Sequence, residues 1–227
     1  MARLVIVLAI FGIIVLNPIG CDNAPKPKPA LYIDSTKGRL LTYGTDNIDR
    51  VKIKDAMENM RGAMISSTKS LTVCGESLSS HFGPKEAGHF HRLTGEICIR
   101  RDSLYDFIIW HEFAHAYHAT LPFAMTKEWL DVVHKNVGIN AYSRGRFSET
   151  QMFPHKGFLT LYGTTNVNED IAEWHEMVRA ALTGTVYHFF GMNKNDPVYI
   201  KKLDLLLKWG FITASEYETV RKMLENI

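Results

Sequence analysis

The sequence predicts an α+β domain: a small mixed sheet, one buried helix behind it, and a helical C-terminal part. Three observations predict it. Short β-rich runs between turn residues, such as Ser70 to Cys74 and Glu96 to Arg100, end at Arg100. The segment Phe107 to Ala116 is apolar on nearly every side and carries no Gly or Pro, as a buried helix requires. Beyond Thr126 apolar residues recur at helical spacing, in stretches bounded by Asn, Pro or Gly. With 227 residues, 46% hydrophobic and 22% charged, the chain reads as globular and long enough to bury a core.

The first segment stands apart. Arg3 precedes the uncharged apolar run Leu4 to Leu16, which has the size of a signal-peptide core and falls short of the ~20 residues a spanning helix needs. Gly20-Cys21 at its end resembles the lipobox of bacterial lipoproteins, with Pro18 and Ile19 in place of the usual Leu and small residue. That resemblance implies export over 1–21 and a membrane partner through a lipid on Cys21. Residues 22–30, with alternating Pro and Lys, suit an extended tether. The body from 31 to 227 reads as one domain. The whole chain's net charge of +2, one unit of it from Arg3 in the leader, and the lack of a basic run give no reason to expect a nucleic-acid partner. Cys74 and Cys98 sit in strand-like segments and read either as a disulfide or as two free thiols.

The elements follow in order. Residues 30 to 43 read as an extended entry, and Asp46 or Asn47 caps a helix running to about Met64 with a broad apolar side. Ser70 to Cys74 is a strand and 75 to 88 a Gly-rich loop. His89 to Arg92, the turn through Gly95 and Glu96 to Arg100 form a hairpin. Asp102 or Ser103 caps the next helix, which carries His111 to His118. Thr126 to Val137 follows as an amphipathic helix, and 138 to 160 is irregular. Asn166 or Asn168 begins a helix to about Phe190, and Pro197 to Trp209 another, stopped by Gly210. Thr213 and Glu216 fit a capping box for the last helix.

The chemistry concentrates in His111-Glu112-Phe113-Ala114-His115, the pattern H-E-x-x-H. Two imidazoles four residues apart on a helix share a face and can serve one zinc ion. Glu112 beside them suits a general base for a water activated by the metal. Downstream, Glu169 and Glu173 lie one turn apart; either can be a third ligand while the other accepts a hydrogen bond from a ligand histidine. His118, two turns beyond His111, is a further rival. His89 and His91 read as hairpin residues outside the site, and His175 points elsewhere on its helix.

Asn168-Glu169-x-x-Ala172-Glu173 resembles the second motif of the gluzincins, and the longer run Tyr162 to Glu173 is similar to that of the lethal-factor-type metallopeptidases. The resemblance covers roughly residues 96 to 190; Asp170 and Ile171 depart from it. It implies a zincin-like metallopeptidase fold with zinc as cofactor, His111, His115 and Glu169 as ligands and Glu112 as base. It also implies that the Tyr162 phenol lies near the metal, where it suits a developing oxyanion. In zincins an edge strand ahead of the H-E-x-x-H helix pairs with extended substrate, and Glu96 to Arg100 takes that place here. The expected activity is zinc-dependent endopeptidase action on a peptide or protein. A zinc-stabilised module without catalysis, or an envelope lipoprotein, is the alternative.

Overall fold

The computed structural model describes residues 30–34, 38–74, 87–142, 156–184 and 196–226. The leader and most of the tether lie outside the described residues, as do the inner parts of the two loops expected around 75–88 and 138–160. Among the described residues no helix is long and apolar enough to cross a membrane.

The chain is α+β. Strands β1 (Ala30–Asp34) and β2 (Gly38–Tyr43) precede helices α1 (Asn47–Glu58) and α2 (Gly62–Ser66). Strands β3 (Ser70–Cys74), β4 (Gly88–His91) and β5 (Glu96–Arg100) follow, then α3 (Asp106–His118) and α4 (Phe123–Asn136). Helices α5 (Val167–Leu182), α6 (Pro197–Lys208) and α7 (Ala214–Asn226) complete it. The sheet order is β1-β2-β3-β5-β4, with β2, β3 and β5 mutually parallel and the two outer strands antiparallel to their neighbours.

That order corrects the expected edge. Glu96 to Arg100 is an interior strand, hydrogen-bonded to β3 on one side and β4 on the other. The edge is Gly88 to His91. Alternation along the interior strands explains it: Leu71, Val73, Ile97 and Ile99 are buried, facing α1 and α3, which a strand at the rim would not require. Cys74 and Cys98 are not joined to each other. Cys98 pairs with Thr72, two residues short of Cys74, so the cysteines stand diagonally, about 8 Å apart and beyond disulfide reach.

Four helix limits also differ. The expected single helix to Met64 breaks after Glu58, where Asn59 leaves the helical region and extended Arg61 starts α2. The apolar residues persist through the break, with Met60 and Met64 buried, because the bend turns them into the core while the Arg61 guanidinium reaches the Gly210 carbonyl. Its N-cap is Asp46, in a reciprocal capping box with Asp49. Helix α3 starts later than expected, at an uncapped Tyr105, since Asp102 is engaged by Arg100 and Ser103. Helix α4 begins at Phe123, with Pro122 as its extended N-cap, a position where the missing N–H leaves no helical hydrogen bond unmade. Helix α5 is capped by Asn166 and ends at Leu182, with Gly184 in the left-handed region at φ 77°, short of Phe190. Thr213 and Glu216 cap α7 reciprocally, as expected.

Helix α3 lies between two cores. Ile109, Trp110, Phe113 and Ala116 pack with the sheet and α1, and the Trp110 indole donates to the Ala56 carbonyl at 2.9 Å. Ala114 joins the second core, of α4, α5, α6 and α7. The remaining side of α3 faces α5, its most extensive partner. There His175 of α5, fully buried, donates through Nδ1 to the Trp110 carbonyl at 3.2 Å; burial holds its pKa well down, so the ring is neutral. A buried pair fixes α5 from behind. Both oxygens of Asp170 lie 2.7 Å from Lys202 Nζ, and Asp170 also accepts from Trp129 at 2.8 Å and Tyr142 at 2.7 Å. Burial pushes Asp170 up and Lys202 down, toward their neutral forms, and their mutual attraction opposes it.

Candidate metal centre

Placing α3 against α5 brings together side chains that are more than fifty residues apart in sequence. His111 and His115 project from one face of α3, one turn apart, with ring centroids 4.8 Å apart at 81°. Their Nε2 atoms are 3.1 Å apart. Glu169, on the first turn of α5, sets Oε2 at 3.0 Å from His111 Nε2 and 3.2 Å from His115 Nε2. Successive residues on a helix are turned by about 100°, so Glu169 faces α3 while Asp170 faces the α4–α6 core. The core pair and the site residue thus fix one another's direction.

The three donor atoms fit zinc. Bonds of 2.0–2.1 Å in a tetrahedral set place neighbouring donors about 3.3 Å apart, close to the spacings found here. Two imidazoles and a carboxylate are the donor types zinc takes. The tautomer fits as well: His111 Nδ1 lies 3.2 Å from Glu176 Oε2, which draws the ring proton to that side and leaves Nε2 as the donor. Burial opposes a charge on His111, but the hydrogen bonds its ring nitrogens donate to Glu169 and Glu176 hold its pKa well above the ordinary value, so a metal at Nε2 would displace a proton there. Burial likewise opposes ionisation of Glu169, yet hydrogen bonds from both histidines keep its carboxyl far below the usual range.

Glu112, 5% exposed, sits beside His111 on the side of the edge strand. The bare Cα of Gly88 makes that possible: a Cβ there would fall 2.8 Å from Glu112 Oε1 and 2.9 Å from its Cγ. Tyr162 stands in a short 3-10 turn, Tyr162–Thr164, just before α5, with its ring centroid 6.0 Å from that of His111. All five residues singled out in the sequence therefore lie in one neighbourhood.

Other candidates fall elsewhere. His118 Nε2 bonds to Thr126 Oγ1 at 2.9 Å, and burial with His115 nearby pushes its pKa down to about 4. His89 and His91 stand together on β4, with His91 held by Thr94. Glu173 is 8% exposed and takes neither role offered to it: its Oε1 accepts from Thr160, and burial, helped by Glu176, pushes its pKa up to about 8. The histidine's acceptor is Glu176, which the sequence reading missed. Its signal was present, seven residues and two turns after Glu169 on the same face.

Comparison with known proteins finds no matching family model, no matching curated protein and no matching solved structure. Among the described residues, His111, His115 and Glu169 are the one group of histidine, cysteine and acidic side chains arranged to hold a metal ion.

Proposed function

We propose that this chain is an exported zinc-dependent endopeptidase with a zincin-like fold, tethered to a membrane through Cys21. One observation carries the reading: two imidazole nitrogens and a Glu169 oxygen converge within 3.2 Å of one another, with the buried carboxylate of Glu112 next to them. A scaffold that only needed metal would have no use for a further buried carboxylate that neither ligates the metal nor orients a ligand.

His111, His115 and Glu169 would hold the ion, and zinc there would supply Lewis acidity toward water and a peptide carbonyl. The chain's own groups do the rest. A carboxylate oxygen of Glu112 accepts the proton of the attacking water and carries it toward the leaving amine. The Tyr162 phenol donates to the carbonyl oxygen as charge builds on it. Glu176 holds the His111 tautomer throughout. The substrate backbone lies along Gly88 to His91, the terminal strand of the sheet among the described residues, where main-chain pairing carries little side-chain selectivity.

The test is zinc content and cleavage of a broad peptide library by wild type and Glu112→Gln. One zinc per chain in both, with cleavage only in wild type, supports the reading. Equal cleavage by the variant overturns the mechanism, and zinc without cleavage in either leaves a metal-stabilised binding module.

A further inference from the structure

The turn that carries Tyr162 is fastened at a point the chemistry above does not use. Thr160 Oγ1 accepts from the Tyr162 backbone N–H at 3.0 Å and from that of Gly163 at 3.4 Å, so one hydroxyl satisfies both donors that open the turn. The same hydroxyl donates its proton to Glu173 Oε1. The other oxygen of Glu173 closes the clasp, since a Cβ on Gly163 would lie 2.5 Å from Glu173 Oε2. Glu173 is anchored on α5, one turn beyond Glu169. The Tyr162 turn is therefore gripped from two directions by a side chain that shares its helix with the third metal donor.

We propose that Thr160, held by Glu173, is the positioning residue that sets the Tyr162 phenol relative to the His111–His115–Glu169 cluster. This rests on the endopeptidase reading for its catalytic consequence, though not for its geometry. Three hydrogen bonds meet at one oxygen, which is the full capacity of a hydroxyl. A side chain without that oxygen leaves two backbone donors and a buried carboxyl oxygen to find other partners. The turn then loses its fixed orientation, and a small misplacement of a catalytic group costs roughly tenfold to a hundredfold in rate. Gly163 belongs to the same device, because only a residue without Cβ lets the turn lie against Glu173.

The test is a double-mutant cycle on the full chain, combining Thr160→Val with Tyr162→Phe, with Thr160→Ser as the conservative control. Thr160→Val is expected to lower kcat roughly tenfold to a hundredfold with zinc content unchanged, and Thr160→Ser to restore most of it. In the Tyr162→Phe background the Thr160→Val loss should vanish, because there is no phenol left to position. A loss of equal size in both backgrounds, or wild-type kcat in Thr160→Val, overturns the proposal. A second readout stands apart from turnover: fluorotyrosine at position 162, followed by fluorine NMR in zinc-loaded and chelated protein. One sharp resonance in wild type and Thr160→Ser, shifted or broadened in Thr160→Val, supports the clasp even if no substrate is found. Identical spectra in all three overturn it. Absence of zinc or cleavage in wild type would instead count against the endopeptidase reading.

Discussion

His111 and Glu176 meet across the α3–α5 interface, Nδ1 to Oε2, at 3.2 Å. The contact does not touch the candidate metal position, yet it decides which nitrogen of His111 faces it. A ring free to turn or to protonate at Nε2 would be a poor donor.

Glu176→Ala should therefore weaken zinc retention by about tenfold to a hundredfold while leaving the three donors in place. Competition against a chelator of known affinity measures this directly. An unchanged affinity would mean that packing alone orients the ring.

Gly88→Ala should separate metal binding from catalysis. The added methyl meets Glu112 at Oε1 and Cγ and Ile108 at 3.0 Å, so the flexible carboxylate is the group that gives way. A displaced base predicts a kcat lower by about tenfold to a hundredfold, with one zinc still bound and a melting temperature near that of wild type. Full activity in this variant would show that Glu112 tolerates being pushed aside.

Glu173 gives a signed pH dependence. Burial raises its pKa from 4.5 in the unfolded chain to about 8 in the fold. Between those values the folded protein keeps a proton that the unfolded chain has released, so its contribution is complete below pH 4.5 and is lost as pH rises through about 8. Glu173→Gln removes that titration. Urea denaturation of chelated protein from pH 5 to pH 9 should show wild type losing stability relative to the variant. Parallel curves would show that Glu173 is ionised in the fold.

Lys202→Met should be among the most damaging single changes in the core. It strands Asp170 without its cation where both side chains are fully buried, a situation that costs about 3–5 kcal/mol. Adding Asp170→Asn should recover part of the loss, because it removes the stranded charge while a side-chain oxygen still accepts from Trp129 and Tyr142. Additive losses in urea denaturation would show the pair to be uncoupled.

Much of the site was legible because it depends on local spacing. The His111–His115 interval fixes a shared helix face before any tertiary contact, and the Asn166 cap fixes where α5 begins. What was not legible depends on how elements dock. Whether β4 or β5 is the edge is decided by which of them pairs with β3, a contact between segments distant in sequence, and no pattern within either strand records it. Glu173 and Glu176 are both plausible partners for a histidine by spacing. The angle at which α5 crosses α3 puts Glu176 against His111 and turns Glu173 toward Thr160. The break after Glu58 escaped notice because Met60 and Met64 continue the apolar stripe on the far side of it.

Glu169 and Asp170 are neighbours in sequence but answer to different demands. In a saturation library sorted once for cellular abundance and once for peptide cleavage, substitutions at 170 would disappear in the first sort. Those at 169 would pass it and be lost only in the second. On the endopeptidase reading, the chemistry can be lost in one step at 169 while position 170 stays constrained by the fold, and a chain that had lost it would be recognisable by an intact Asp170–Lys202 pair beside an altered Glu169.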